Sequence, residues 1–128
     1  MSLDSKDPKK RGIGFSFALK GILDVFRSEM NFKIHVISAV LVIFIGLITH
    51  LSEVEWLFIL LAIAMVFLAE ILNTAIEQLV NYLFTDYHPV AGKVKDMAAG
   101  AVFIASLFAL AVGLIIFIPK IVSVIVGH

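Results

Sequence analysis

The sequence has no cysteine and few charged residues. Without cysteine among its 128 residues, the chain can form neither a disulfide nor a thiolate metal site, and it has no cysteine nucleophile. Only 16% of the residues are charged and 61% are hydrophobic, whereas a soluble domain is about a quarter charged and about half apolar. The composition therefore argues against a soluble domain, and equally against a disordered chain, which needs low hydrophobicity and high net charge.

An excess of charge of either sign is also missing. Ten basic residues balance ten acidic ones, so the net charge gives no indication of a nucleic-acid partner. The familiar nucleotide and zinc motifs are absent as well. The chain has no GxxxxGK[ST] P-loop, and its four histidines lack HExxH spacing.

Long stretches lack charge altogether, and they predict the fold. Residues 34–52 and 97–119 contain no Asp, Glu, Lys or Arg, and residues 56–85 contain only Glu70 and Glu77. A helix needs about 20 such residues to cross a hydrocarbon core of about 30 Å. Buried helices of a soluble protein are the alternative, but three of them would leave too little polar surface. We predict an all-α integral membrane protein. Its transmembrane helices are predicted over 34–51, 56–84 and 97–118.

The segment before the first span has a different pattern. Apolar residues recur there every three or four positions, which places them along one side of a helix. We predict an amphipathic helix over 14–31 that lies on the cytoplasmic membrane surface, as an anchor or as a cover over a lipid site, with Glu29 near its end. Residues 1–13 are predicted to be a mobile tail, and 14–128 a single membrane-embedded domain. The apolar positions are Phe15, Leu19, Ile22, Phe26 and Met30.

Basic residues indicate the orientation. Seven precede the first predicted span, Lys93 and Lys95 lie between the second and third, and only Lys120 lies near the far end. Cytoplasmic loops carry the excess of Lys and Arg in membrane proteins. We therefore predict a multi-pass protein whose N-terminus and 85–96 loop face the cytoplasm.

Polar residues inside the second span are the candidate functional residues. Glu70, Asn73 and Glu77 fall within about 60° of one helix face. Ionised carboxylates cost several kcal/mol in hydrocarbon, so such acids usually have a function. Their oxygens suit magnesium that is also held by a substrate phosphate, and suit zinc or copper poorly. Two alternatives stay open, a structural hydrogen-bond network between helices and a transporter or channel whose Glu70 and Glu77 bind a cation.

Further charged residues are predicted on the same side of the membrane. Glu29 could approach the acidic face from the surface helix. Lys95 and Asp96 are expected to open the third helix, after a turn in which Pro89 ends any helix. A lysine can offset phosphate charge, and carboxylates can hold a metal. With a general base near a lipid hydroxyl, these groups would support phosphoryl transfer, which is mainly positioning and electrostatics.

Two sequence motifs resemble the small prokaryotic diacylglycerol kinase family. These are EILNTAIE at 70–77 and KDMAAGAV at 95–102, and the similarity extends from about residue 14 to 119. The SEVEW stretch at 52–56 and the His88-Pro89 turn look more like the Gram-positive branch, whose members phosphorylate undecaprenol. The resemblance implies transfer of the γ-phosphoryl group of ATP to undecaprenol, with diacylglycerol as the alternative acceptor; neither length nor charge decides between them.

The resemblance also implies an assembly and a cofactor. It implies a homotrimer in a bacterial cytoplasmic membrane, with an amphipathic surface helix and three membrane helices per chain. ATP and Mg²⁺ would bind at the cytoplasmic face, in sites shared between subunits.

Roles for individual residues follow from the same resemblance. Glu70 would be the general base that takes the proton of the lipid hydroxyl. Glu29 and Glu77 would hold Mg²⁺ and the ATP phosphates, and Asn73 would orient this cluster. Lys95 would contact the phosphates, and Asp96 would be a structural or nucleotide-side partner.

The chain departs from the family at one position. Asn81 stands where an aspartate is common, four residues after Glu77. A nucleotide contact there would be a neutral hydrogen bond and would carry no charge. Lys10 or Arg11 is a loose match to a basic nucleotide contact near the N-terminus.

Overall fold

The computed structural model describes residues 14–127, which form four α-helices. The predicted tail 1–13 lies outside the described residues. No strand occurs within residues 14–127, in agreement with the all-helical prediction. In chain order the helices are α1 Gly14–Ser28, α2 Met30–Ile48, α3 Glu53–Leu83 and α4 Pro89–Val126.

Three of these helices can span a membrane. α2, α3 and α4 are each long and apolar enough to do so, as the charge-free stretches predict. Only 17% to 22% of the residues in their most apolar segments are buried within the chain. Most of their surface therefore faces outward. Inside the chain, α3 and α4 pack around a small core of Ile59, Ala62, Val112 and Ile116.

The third membrane helix begins earlier than predicted. The prediction that Pro89 ends a helix is wrong, because Pro89 is the first residue of α4. A proline suits this position, since its fixed φ is helical and its missing N–H has no helical partner there. The Nδ1 atom of His88 accepts a hydrogen bond from the Val90 N–H at 3.2 Å and caps the helix. Lys95 and Asp96 consequently lie about two turns inside α4, and not at its start.

A break between α1 and α2 positions Glu29. α1 ends at Ser28 rather than at residue 31, and Glu29 has extended backbone angles (φ −112°, ψ 114°) as the N-cap of α2. The prediction that Glu29 lies inside the surface helix is therefore wrong. The ring of Phe32, buried just after the break, lies 6.5 Å from Phe26 on α1 and 5.3 Å from Phe67 on α3. This aromatic contact ties the break to α3, the helix that carries the acids.

The opposite end of the bundle is fixed by a short turn. The Ser52 hydroxyl accepts from the Glu55 N–H at 3.2 Å, and the Ser52 N–H donates to the Glu55 carboxylate at 3.0 Å. This reciprocal cap starts α3 by satisfying two unpaired N–H groups. Lys120, near the end of α4, lies 3.3 Å from Glu55. The pair links the N-terminal end of α3 to the C-terminal part of α4.

Close packing at this end gives a test of the fold. A Cβ atom on Gly46 would lie 2.8 Å from Trp56 Cη2 and 2.9 Å from Leu51 Cδ1. We expect Gly46→Ala to lower the free energy of unfolding by about 1–3 kcal/mol, measured as a lower Tm of the detergent-solubilised protein. Gly113→Ala is the matched control, because a Cβ atom there meets nothing within 4 Å. Equal Tm values for the two variants would contradict this packing.

Candidate active site

The acidic face of α3 is turned toward the rest of the chain. Glu70 is 3% exposed and Thr74 is 2% exposed, and Asn73 and Glu77 are half-buried. A carboxylate buried in a membrane helix is costly unless a partner or a function compensates. The predicted site residues on α3 therefore lie in a protected position and do not face bulk solvent.

Asn73 is oriented by Glu77. Its Nδ2 atom donates a hydrogen bond to Glu77 Oε1 at 3.3 Å, which turns the nitrogen of the amide toward the carboxylate. The Asn73 Oδ1 and Thr74 Oγ1 atoms are buried, and neither has a hydrogen-bond partner within the described residues. The arrangement leaves the amide oxygen available as a ligand or acceptor.

Two further carboxylates act electrostatically on Glu70. Glu29 and Glu77 both lie close enough to Glu70 to repel its negative charge, and Glu29 reaches the site from the α1–α2 break. Like charges brought together in this way favour binding of a cation.

The donor set fits a magnesium ion that is also bound by a phosphate. Carboxylate and amide oxygens are ligands that Mg²⁺ prefers. Among residues 14–127, no three acidic or histidine side chains are close enough to hold a metal ion by themselves. A divalent ion would therefore need further ligands, and proteins commonly bind Mg²⁺ through one or two carboxylates plus a substrate phosphate.

A histidine that the sequence did not single out approaches the buried acid. His35 Nε2 lies 4.0 Å from Glu70 Oε2, and the two side chains are 26% and 4% exposed. Sequence reasoning missed this residue because a single histidine is usually structural and no helical spacing links α2 to α3. Its position at the start of a charge-free run was the one available signal.

An apolar cleft extends from His35 between the three membrane helices. Its volume is about 120 Å³, and its lining combines His35 and Ser38 with aliphatic and aromatic side chains of α2, α3 and α4. A cleft with this lining suits a hydrocarbon chain, and its polar residues mark where a polar end group would lie.

A second cavity lies between the C-terminal end of α3 and the N-terminal end of α4. Lys95 Nζ donates to Asn81 Oδ1 at 2.7 Å, and both residues line this cavity of about 150 Å³ with Tyr87 and His88. A lysine ammonium has three donors, so two remain for another acceptor. Asn81 thus supports the predicted phosphate-binding lysine.

The remaining predicted residues are Asp96, Lys10 and Arg11. Asp96 is exposed next to Lys95 on α4. Lys10 and Arg11 lie outside the described residues. The structure therefore places Glu29 and Glu77 within electrostatic range of Glu70 and Lys95 in the second cavity.

Known proteins are similar to the chain over most of its length. The family model described as prokaryotic diacylglycerol kinase matches residues 16–117. The undecaprenol kinase of Bacillus subtilis is 39% identical over 92% of this chain and 99% of the relative. The diacylglycerol kinase of Synechocystis is 34% identical over 89% of this chain and 66% of the relative. The Escherichia coli diacylglycerol kinase is 28% identical over 77% of this chain and 80% of the relative.

Proposed function

The chain belongs to the prokaryotic diacylglycerol kinase family and is a membrane lipid kinase, and we propose that it uses ATP to phosphorylate undecaprenol. The observation that carries this choice is the 39% identity to an undecaprenol kinase along nearly the whole of both chains. The diacylglycerol kinases of Synechocystis and Escherichia coli are 34% and 28% identical. Diacylglycerol is therefore the second candidate acceptor.

A comparison of the two lipids tests the acceptor. With purified protein, MgATP and either undecaprenol or dioleoylglycerol at equal mole fraction in matched micelles, we expect undecaprenol to give the higher initial rate. The expected ratio is about tenfold or more, which corresponds to at least about 1.4 kcal/mol of differential transition-state binding. A reaction without lipid gives the background of ATP hydrolysis.

The outcomes of this assay separate the alternatives. A faster reaction with dioleoylglycerol would identify diacylglycerol as the preferred acceptor and leave the assignment as a lipid kinase unchanged. ATP consumption that did not depend on a lipid alcohol would contradict phosphoryl transfer to lipid. It would favour the alternative of a cation transporter. ATP consumption that requires both Mg²⁺ and the alcohol would argue against a transporter.

The proposed chemistry is centred on Glu70. The lipid hydroxyl arrives from the membrane beside the apolar cleft, and its oxygen attacks the γ-phosphorus of ATP. The bond between the γ-phosphorus and the bridging oxygen of ADP breaks, and ADP leaves with the bonding electrons. Glu70 takes the hydroxyl proton as general base. The buried position of Glu70 supports this role, because water is kept from the reacting oxygen.

The residues around Glu70 bind the phosphates in this proposal. Glu29 and Glu77 hold Mg²⁺ together with the ATP phosphates, and Asn73 orients this cluster through its bond to Glu77. When bound, Mg²⁺ neutralises charge on the transferring phosphoryl group. Lys95 contacts the phosphates from the second cavity. Asp96 is a structural or nucleotide-side partner.

The proposed assembly is a homotrimer of a bacterial cytoplasmic membrane. α1 lies along the cytoplasmic surface, with the N-terminus on that side, and each site is shared between subunits. Two observations support this arrangement. The apolar side chains of α1 are exposed, with Phe15 at 69% and Ile22 at 44%, and the membrane helices leave most of their surface free for lipid and for other copies.

A further inference from the structure

The contact between His35 and Glu70 joins two helices at the centre of the site. His35 belongs to α2 and Glu70 to α3, and their side-chain atoms approach to 4.0 Å. An ionised carboxylate only accepts hydrogen bonds, so a hydrogen bond between the two side chains requires the proton on the facing Nε2 atom. The separation exceeds that of a hydrogen bond. Catalytic hydrogen bonds are commonly long before the substrate binds and tighten afterwards.

Other interactions do little to fix the Glu70 carboxylate. Within the part of the chain that the structure describes, the Glu70 carboxylate accepts no hydrogen bond, and it lies 4.0 Å from His35 Nε2. Glu29 and Glu77 repel its charge, so they offer the carboxylate no attractive contact. An attractive group on another helix is needed to hold one orientation, and His35 is placed to be that group.

His35 also connects Glu70 to the cleft. The imidazole lines the cleft between α2, α3 and α4 and touches the buried acid at the same time. A hydroxyl on a chain lying in that cleft would meet Glu70 beside the imidazole. If one carboxylate oxygen is held by Nε2, the other is free to face the hydroxyl.

We propose that His35 is a positioning residue for phosphoryl transfer, whose Nε2–H holds the Glu70 carboxylate so that its second oxygen receives the proton of the lipid alcohol. The proposal rests on the proposed function, in which Glu70 is the general base. Removing the Nε2–H donor should slow the chemical step and leave binding of MgATP unchanged, because His35 acts through Glu70 and is not a ligand of the phosphates.

Two amide substitutions separate this role from simple packing. The side-chain nitrogen of His35→Gln can reach the place of Nε2, whereas that of His35→Asn reaches only the place of Nδ1. We expect His35→Asn to lower kcat by about 10- to 100-fold, the loss that follows from misplacing a catalytic group by about 1 Å. KM for MgATP should stay within about twofold of wild type, and His35→Gln should recover most of the lost kcat.

Several results would overturn the proposal. Unchanged kcat in His35→Asn would do so, and so would equal losses in His35→Asn and His35→Gln, since the place of the nitrogen would then not matter. If His35→Asn did not yield folded protein, His35→Leu preserves an apolar side chain without a nitrogen. The proposal requires the same loss of kcat in that variant, and normal turnover would contradict it.

Two controls make the result specific. His50→Asn changes an exposed histidine in the turn that follows the opposite end of α2, and it should leave kcat unchanged. Wild-type protein assayed with both lipids identifies failure of the proposed function separately. If wild type phosphorylated neither lipid alcohol, the kinase proposal would fail; if wild type were active and His35→Asn equally active, only the positioning role would fail.

Discussion

Glu70→Gln is expected to lower kcat with undecaprenol by about 10²- to 10⁴-fold, the contribution of a positioned general base. Glutamine preserves the shape and length of the side chain but cannot take the hydroxyl proton. Because Glu70 is only 3% exposed, bulk water has little access to replace it. KM for MgATP should stay within about twofold of wild type, since the base acts in the transition state. Initial rates at varied MgATP and saturating lipid measure both quantities.

The matched control for this substitution lies on the same helix. Glu55 is at the opposite end of α3 and pairs with Lys120 at 3.3 Å. Glu55→Gln makes the same chemical change about 22 Å away along the helix axis, and kcat should stay within about twofold of wild type. Near-normal turnover in Glu70→Gln, with Glu55→Gln equally active, would remove Glu70 from the role of general base.

Glu77→Gln is expected to act mainly on the metal and nucleotide. The glutamine carbonyl can still accept the hydrogen bond from Asn73, which is 3.3 Å long in the native site, so the substitution removes charge and changes little of the local geometry. We expect the Mg²⁺ concentration for half-maximal rate to rise roughly 100-fold, equivalent to about 2.7 kcal/mol. KM for ATP should rise with it, and a higher Mg²⁺ concentration should restore part of the rate.

The two substitutions control for each other. Glu70→Gln should leave the Mg²⁺ requirement near that of wild type, whereas Glu77→Gln should shift it. A shift of the same size in both variants would mean that the two acids share one role. If Glu77→Gln left the Mg²⁺ concentration for half-maximal rate unchanged, Glu77 would not be a ligand of the metal.

The membrane helices could be predicted from the sequence, but their ends could not. Long runs with little or no charge indicate where a helix must cross hydrocarbon, and all three runs correspond to helices in the structure. Helical hydrogen bonding does not stop where the lipid ends. α4 begins at Pro89, well before the charge-free run that starts at residue 97. Its 38 residues extend about 57 Å, nearly twice the hydrocarbon thickness.

The family and the acidic face were also accessible from the sequence. Helical spacing alone places Glu70, Asn73 and Glu77 together, and the motifs around them identify the lipid kinase family, which the comparisons confirm. The individual catalytic roles stay predictions. Contacts between helices were not accessible, because no periodicity relates His35 to Glu70 or Asn81 to Lys95. Glu29 was predicted to lie inside the surface helix, since a break of a single extended residue leaves no mark in the hydrophobic pattern.

The hydrogen bond between Asn81 and Lys95 has an electrostatic consequence. An aspartate at position 81 would hold the lysine equally well, but it would supply a counter-charge and cancel much of the field felt by an approaching polyanion. The neutral amide fixes the ammonium group without adding a counter-charge of its own. Long-range attraction should therefore raise the association rate of a triphosphate with the cavity that Lys95 lines. That rate should fall as added salt shortens the screening length.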